Sequence, residues 1–137
     1  SSVFSDFHLF SKLFGVENAD KQRVEELLKL MQIDNKTEFL GDRFSNLNLS
    51  TGQKKRLALI VSMLEDKPIC IFDEWAADQD PEFRKYFYET LLTNLKKQGK
   101  TVIAVSHDDR YFGYADRVLK MDYGTISSVT VKKEKAD

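Results

Sequence analysis

Apolar residues recur along this chain with two different periods, and the change between them divides it. Val24, Leu27, Leu28 and Met31 fall at helical spacing behind Asp20, and Leu57, Ile60, Val61 and Leu64 do so behind Ser50. Between them, residues 35–49 carry Gly41, Asp42 and Asn46 and predict loop. From Pro68 the pattern turns continuous, and Ile69-Cys70-Ile71-Phe72 predicts a strand covered on both faces of a sheet. Asp80-Pro81 opens a further helix with Phe83, Phe87, Leu91 and Leu95 on one face and Gly99 as its stop. A strand over Thr101–Val105, a short helix near Asp109–Tyr114, and strands over 117–121 and Thr125–Val131 around an Asp122-Tyr123-Gly124 turn complete the pattern. Val3-Phe4 reads as a strand end and residues 5–15 as a Phe-rich loop. Strand, helix and strand joined by so long a crossover require parallel pairing, which makes the fold class α/β. The expected division is a helical segment, 1–66, followed by a sheet-forming segment, 67–137.

Composition adds limits. The 137 residues hold ten Phe and five Tyr, enough apolar bulk for a packed globule. Lys plus Arg number 21 against 22 Asp plus Glu, interspersed, so no field is expected that would hold nucleic acid or an anionic membrane. A single cysteine, Cys70, excludes an intramolecular disulfide, and its Ile neighbours predict burial. No apolar run approaches the ~20 residues needed to cross a bilayer, and no signal peptide is visible.

Three places carry candidate chemistry. In Leu49-Ser50-Thr51-Gly52-Gln53, a helix start offers unpartnered N–H groups, a hydroxyl at Ser50 and no side chain at Gly52, which together suit a phosphate. The same residues equally describe an ordinary capped helix. Asp73 and Glu74 end a buried strand, where carboxylates must face a cleft, water or a metal. One of the two acids can hold Mg2+, directly or through water, while the other polarises an attacking water; a plain turn is the competing account. His107 follows the second strand at its C-terminal end, where open α/β sheets bind ligands. His8 lacks such a context and reads as a surface or loop residue.

The order of these motifs resembles that of the ATP-binding cassette (ABC) ATPases, whose LSGGQ signature precedes the Walker B strand by a similar distance. The resemblance covers about residues 3–131. It implies a partial P-loop NTPase fold: a helical signature subdomain plus the C-terminal part of a mostly parallel core sheet. It assigns Asp73 to the Walker B position with Mg2+, Glu74 to the catalytic glutamate and His107 to the switch histidine at the γ-phosphate. Ser50, Thr51, Gly52 and Gln53 would meet the ATP phosphates of a partner chain, and Asp80 is the clean match in the D-loop, usually close to PTSALD. Two positions depart from the pattern: Thr51 replaces the first signature glycine, and Ser5 stands where the Q-loop glutamine is usual. The run from Asp73 to Pro81 is similar to bacterial exporters of cyclic or modified peptides and siderophores, and Trp75 within it suits a core or interface aromatic.

No G-x-x-x-x-G-K-[ST] loop occurs in the chain, which opens on Ser1 rather than Met. The expectation is therefore the later part of an ABC ATPase domain, inactive alone, from a parent that hydrolyses ATP. The resemblance implies a head-to-tail second ATPase domain and a transmembrane domain as partners, at the cytoplasmic face of a bacterial inner membrane. Loss of neighbouring strands is expected to expose an apolar edge. The competing class is a degenerate ABC-like interaction module without hydrolysis. A soluble ABC protein of DNA repair or translation is disfavoured by the lack of basic stripes.

Overall fold

The computed structural model describes residues 2–3 and 18–133. Ser5, His8 and the Phe-rich stretch read as a Q-loop region lie outside the described residues, as do residues 134–137. Strand β1 (Ser2–Val3) is followed by helices α1 (Lys21–Leu30) and α2 (Thr51–Glu65), then strand β2 (Ile69–Asp73). Helices α3 (Pro81–Tyr86) and α4 (Leu92–Lys97) lead into β3 (Thr101–Val105), β4 (Arg117–Asp122) and β5 (Thr125–Val131). The first three strands form one parallel sheet in the order β1-β2-β3, with Asp73 opposite Val105. Strands β4 and β5 form a separate antiparallel hairpin. Its two-residue turn holds Tyr123 and Gly124 at φ 50° and 76°, the left-handed pair that fits the twist of a tight hairpin. Among the described residues no helix is long and apolar enough to cross a membrane.

Helix α1 begins where Asp20 accepts from the Gln22 N–H at 3.1 Å, and it buries Val24, Leu27 and Leu28. Met31, just past its end, is fully buried with them. Helix α2 differs from the expected stripe. Its buried face is Lys55, Leu59 and Ser62 flanked by Leu57 and Ile60, whereas Val61 and Leu64 pack at the margin of the core, only partly buried. The face is rotated because Lys55 points inward, a position that a charged residue hides from a hydrophobic pattern. Asp66 closes the helix in a left-handed conformation at φ 50°.

The expected single helix from Asp80 is continuous but not uniformly α. Residues Phe87–Leu91 form a π turn between α3 and α4, closed by the Leu92 N–H on the Phe87 carbonyl. The reason lies in the spacing of Phe83, Phe87, Leu91 and Leu95. In an α-helix each four-residue step overshoots a full turn by about 40°, so four such residues would wind off the core. One wider turn brings them back, and all four are buried.

Strand β2 also departs from expectation. Burial alternates along it: Cys70 and Phe72 are buried, while Ile69 is half-exposed. Phe72 meets Phe87 edge-on at 5.4 Å, so that face packs on the π turn. Ile103 and Val105, which stand on the Ile69 side through the strand register, are also half-exposed. These residues leave an apolar strip on one face of β2 and β3. The core itself is a single cluster running from Val24 to Leu95.

Candidate functional site

Beyond Asp73 the chain turns sharply. The Glu74 N–H donates to the Val105 carbonyl at 3.0 Å, prolonging the β2–β3 ladder by one bond. Glu74 then adopts a left-handed backbone at φ 50°, ψ 32°, which for a side chain of this size costs of order 1–3 kcal/mol and must be held by its surroundings. The consequence is that its carboxylate faces the end of β3, where Glu74 Oε1 lies 2.8 Å from His107 Nε2. The imidazole is 87% exposed and the Glu74 side chain 40%, so the pair sits open to an incoming ligand. Asp73 is partly buried, with no ion pair or hydrogen bond from its carboxylate among the described residues.

A hydroxyl network holds the His107 segment. The Ser106 hydroxyl accepts from Tyr88 Oη at 2.7 Å and from the Asp108 N–H at 3.0 Å, fixing the chain on both sides of His107. Burial raises the Tyr88 phenol above its ordinary value. Tyr88 lies in the π turn and stacks on Tyr111 at 4.6 Å. Arg110 forms a two-pronged pair with Asp108 at 2.8 and 2.7 Å, which holds that carboxyl below the usual range.

At the start of α2, Ser50 and Gln53 bond reciprocally. The Gln53 N–H donates to Ser50 Oγ at 3.3 Å and the Ser50 N–H to Gln53 Oε1 at 3.0 Å. The Ser50 hydroxyl proton remains available to an acceptor, while the Gln53 carbonyl is committed to the cap. Gly52 has a reason to be glycine beyond an open approach to an anion. A Cβ there would lie 2.7 Å from the Asp78 carbonyl oxygen, so the helix start and the 74–80 loop touch backbone to backbone. Gln79 Nε2 seals the contact by donating to the Gly52 carbonyl at 3.1 Å.

Asp80 stands at the N-terminus of α3 and accepts from the Phe83 N–H at 2.9 Å. Its other oxygen takes Arg56 Nη2 at 3.0 Å. The Phe83 N–H, aided by the Arg56 charge and opposed by partial desolvation, holds the Asp80 carboxyl below its ordinary value. A lowered value means stability present above the unfolded-state pKa and lost as pH falls through the folded one. Asp80→Asn keeps an acceptor for the cap and removes the titration. The gap in urea midpoint between the two proteins should therefore narrow steadily toward low pH. Parallel curves would remove Asp80 from the acid response.

Arg56 and Lys55 have structural roles that no sequence motif assigns to them. Arg56 donates to Gln79 Oε1 at 2.8 Å and to the Met31 carbonyl at 3.2 Å, and its guanidinium lies 3.8 Å over the Phe83 ring. Lys55 is 1% exposed. The available signal was its place four residues before Leu59, on the inward face of α2.

Among the described residues there is no cluster of three or more His, Cys, Asp or Glu side chains placed for a metal. A cation such as Mg2+ takes only one or two carboxylates and completes its shell with phosphate and water, so a lone carboxylate such as that of Asp73 would be enough on the protein side.

The sequence and fold match known proteins. A model of the family described as ABC transporter matches residues 1–77. The chain is 47% identical over 132 residues to the ATP-binding protein SyrD of Pseudomonas syringae pv. syringae, covering 93% of this chain and 23% of SyrD. It is 32% identical over 134 residues to the energy-coupling factor transporter ATP-binding protein EcfA3 of Oenococcus oeni, covering 97% of this chain and 45% of that one. The chain thus spans less than half of the length of these relatives. Its fold superposes on a dimeric ATP-binding cassette, MJ0796, in a post-hydrolysis state bound to ADP and Pi, with a TM-score of 0.73 at 23% identity, over 95% of this chain and 61% of that one. The α/β architecture is accordingly that of part of an ABC ATPase domain, and a family match over more than half of its residues makes this chain a member of the ABC transporter family.

Proposed function

We propose that these residues supply the signature turn and the catalytic carboxylates of an ATP-hydrolysing ABC domain. The observation that carries the reading is the Glu74–His107 pair at 2.8 Å, set beside Asp73, whose carboxylate makes no ion pair or hydrogen bond among the described residues, where two parallel strands end. Glu74 is the base: its carboxylate takes a proton from the water that attacks the γ-phosphate. His107 orients that carboxylate, and its Nε2–H is the donor that a γ-phosphate oxygen would compete for. Asp73 is the Mg2+ ligand, and the bound ion would offset phosphate charge as it develops.

Ser50, Thr51, Gly52 and Gln53 then address ATP held by a second ATPase domain in a head-to-tail pair, with Asp80 at the end of the loop that follows Glu74. The dimeric cassette with ADP and Pi, whose fold is shared over 95% of this chain, supports a pairing of two such domains. The proposed division places the signature helices in 1–66 and the Walker B and histidine strands in 67–137. The parent is proposed to couple hydrolysis to export of a peptide or siderophore through a transmembrane domain, at the cytoplasmic face of a bacterial inner membrane.

A calorimetric titration tests the reading. Mg-ATP added to these 137 residues should produce no saturable heat, because the backbone cradle and lysine that grip the phosphates belong to a Walker A loop. The same residues preceded by a Walker A segment should bind. If the extended protein binds no nucleotide either, the domain is a degenerate interaction module.

A further inference from the structure

Lys55 is as buried as Trp75 and Phe72 in the core, yet nothing in the proposed reaction uses it. Its ammonium donates to the Glu74 backbone carbonyl at 3.2 Å and pairs with the Asp78 carboxylate. The contact is returned, because Trp75 Nε1 donates to the Lys55 carbonyl at 3.0 Å. We propose that Lys55 is a positioning residue for Glu74, locking the left-handed turn that aims its carboxylate at His107 and at the attacking water.

The argument starts from the backbone. Glu74 leaves the sheet in a conformation that its own side chain disfavours, so both flanking peptides must be held. The N–H side is held by Val105. On the carbonyl side, the Ala77 N–H at 3.2 Å closes the following turn, but that bond moves with the loop. Lys55 is the contact that ties the carbonyl to an independent element, the rigid helix α2. Rotation about the Glu74 backbone would break this bond and swing the carboxylate away from His107.

The choice of lysine also needs a cause. Burying an ammonium is unfavourable, and an apolar residue of similar volume would often serve stability as well or better. An apolar side chain could not grip the Glu74 carbonyl and the Asp78 carboxylate together. Asp78 is also the residue whose carbonyl packs on Gly52. Lys55 therefore fastens the signature turn to the base-bearing loop, so the two move as one body.

The inference rests on the reading of Glu74 as the base, and the test separates the two. In a protein whose Walker A segment precedes these residues, Lys55→Met keeps the length and loses the ammonium. The expected result is a fall in kcat of about 10²-fold, as for a catalytic group misplaced by an ångström, with KM for ATP within twofold of wild type. Asp78→Asn removes only the ion pair, and should lower kcat several-fold, again without moving KM. If Lys55→Met does not fold, Asp78→Asn decides by the same kcat-against-KM split. A kcat within twofold of wild type overturns the inference, as does a parallel change in KM. Should Glu74→Gln leave turnover intact in the same background, the reading beneath it fails instead.

Discussion

Replacing Glu74 by Gln is expected to cut ATP turnover by at least about 10²-fold in a protein that carries the Walker A segment, while leaving nucleotide binding in place. The amide is nearly isosteric with the carboxylate. Its oxygen can keep the place of Glu74 Oε1, 2.8 Å from His107 Nε2, so the turn and the histidine keep their geometry. What the amide lacks is basicity. It cannot take the proton that leaves the attacking water, and the positioned base is the part of the site that the chain itself supplies. The loss should appear in kcat alone, since the role proposed for Glu74 is on water rather than on the phosphates. His107→Ala offers a second axis. It removes the orienting donor but leaves the base, so its effect should be smaller than that of Glu74→Gln. Equal turnover in wild type and Glu74→Gln would assign the carboxylate to the turn and return the domain to the class of non-hydrolytic modules.

The elements were readable where a single force decides them. Thr101–Val105 and Ile69-Cys70-Ile71-Phe72 are strands in the structure, and Ser50, Asp20 and Asp80 cap the helices they precede. These follow from local rules: apolar runs bounded by breakers, and short side chains that satisfy free N–H groups. The order of Ser50, Asp73, Glu74 and His107 was readable as well, because the motifs sit at element ends that those rules locate. What escaped depends on contacts between distant segments. A charged residue on an amphipathic helix is read as solvent-facing, so the inward turn of Lys55 became visible only with Asp78 and the Glu74 carbonyl placed around it. The sequence shows that Gly52 leaves room for an anion, whereas its missing side chain also admits the backbone of Asp78. The π turn is another such case. Four apolar residues spaced strictly by four predict burial on one face, but only packing against Phe72 and Trp75 forces the helix to widen so that all four meet the core.

Trp75→Ala is expected to be the most destabilising substitution in the described core, costing about 3–5 kcal/mol. The side chain is 1% exposed and stacks on Phe87 at 4.4 Å, with Phe83 at 6.0 Å on its flank. Three losses combine at one position: the buried area, the ring stacking and the bond from Nε1 to the Lys55 carbonyl. Collapse to refill the space is opposed on each side. Phe87 is fixed by the π turn, Phe83 lies under the Arg56 guanidinium, and Lys55 is held by its ion pair. Because small domains are stable by only about 5–15 kcal/mol, the variant should unfold at a far lower urea concentration. Trp75→Phe separates the contributions, since it keeps an aromatic face on Phe87 and loses the indole N–H; its cost should be about half or less. The readout must be far-ultraviolet circular dichroism, because Trp75 is the sole tryptophan and its fluorescence disappears with it. A midpoint for Trp75→Ala close to wild type would mean that the loop carrying Glu74 is held by its polar contacts alone. The interlock between α2 and the strand end would then owe nothing to the aromatic core beneath it.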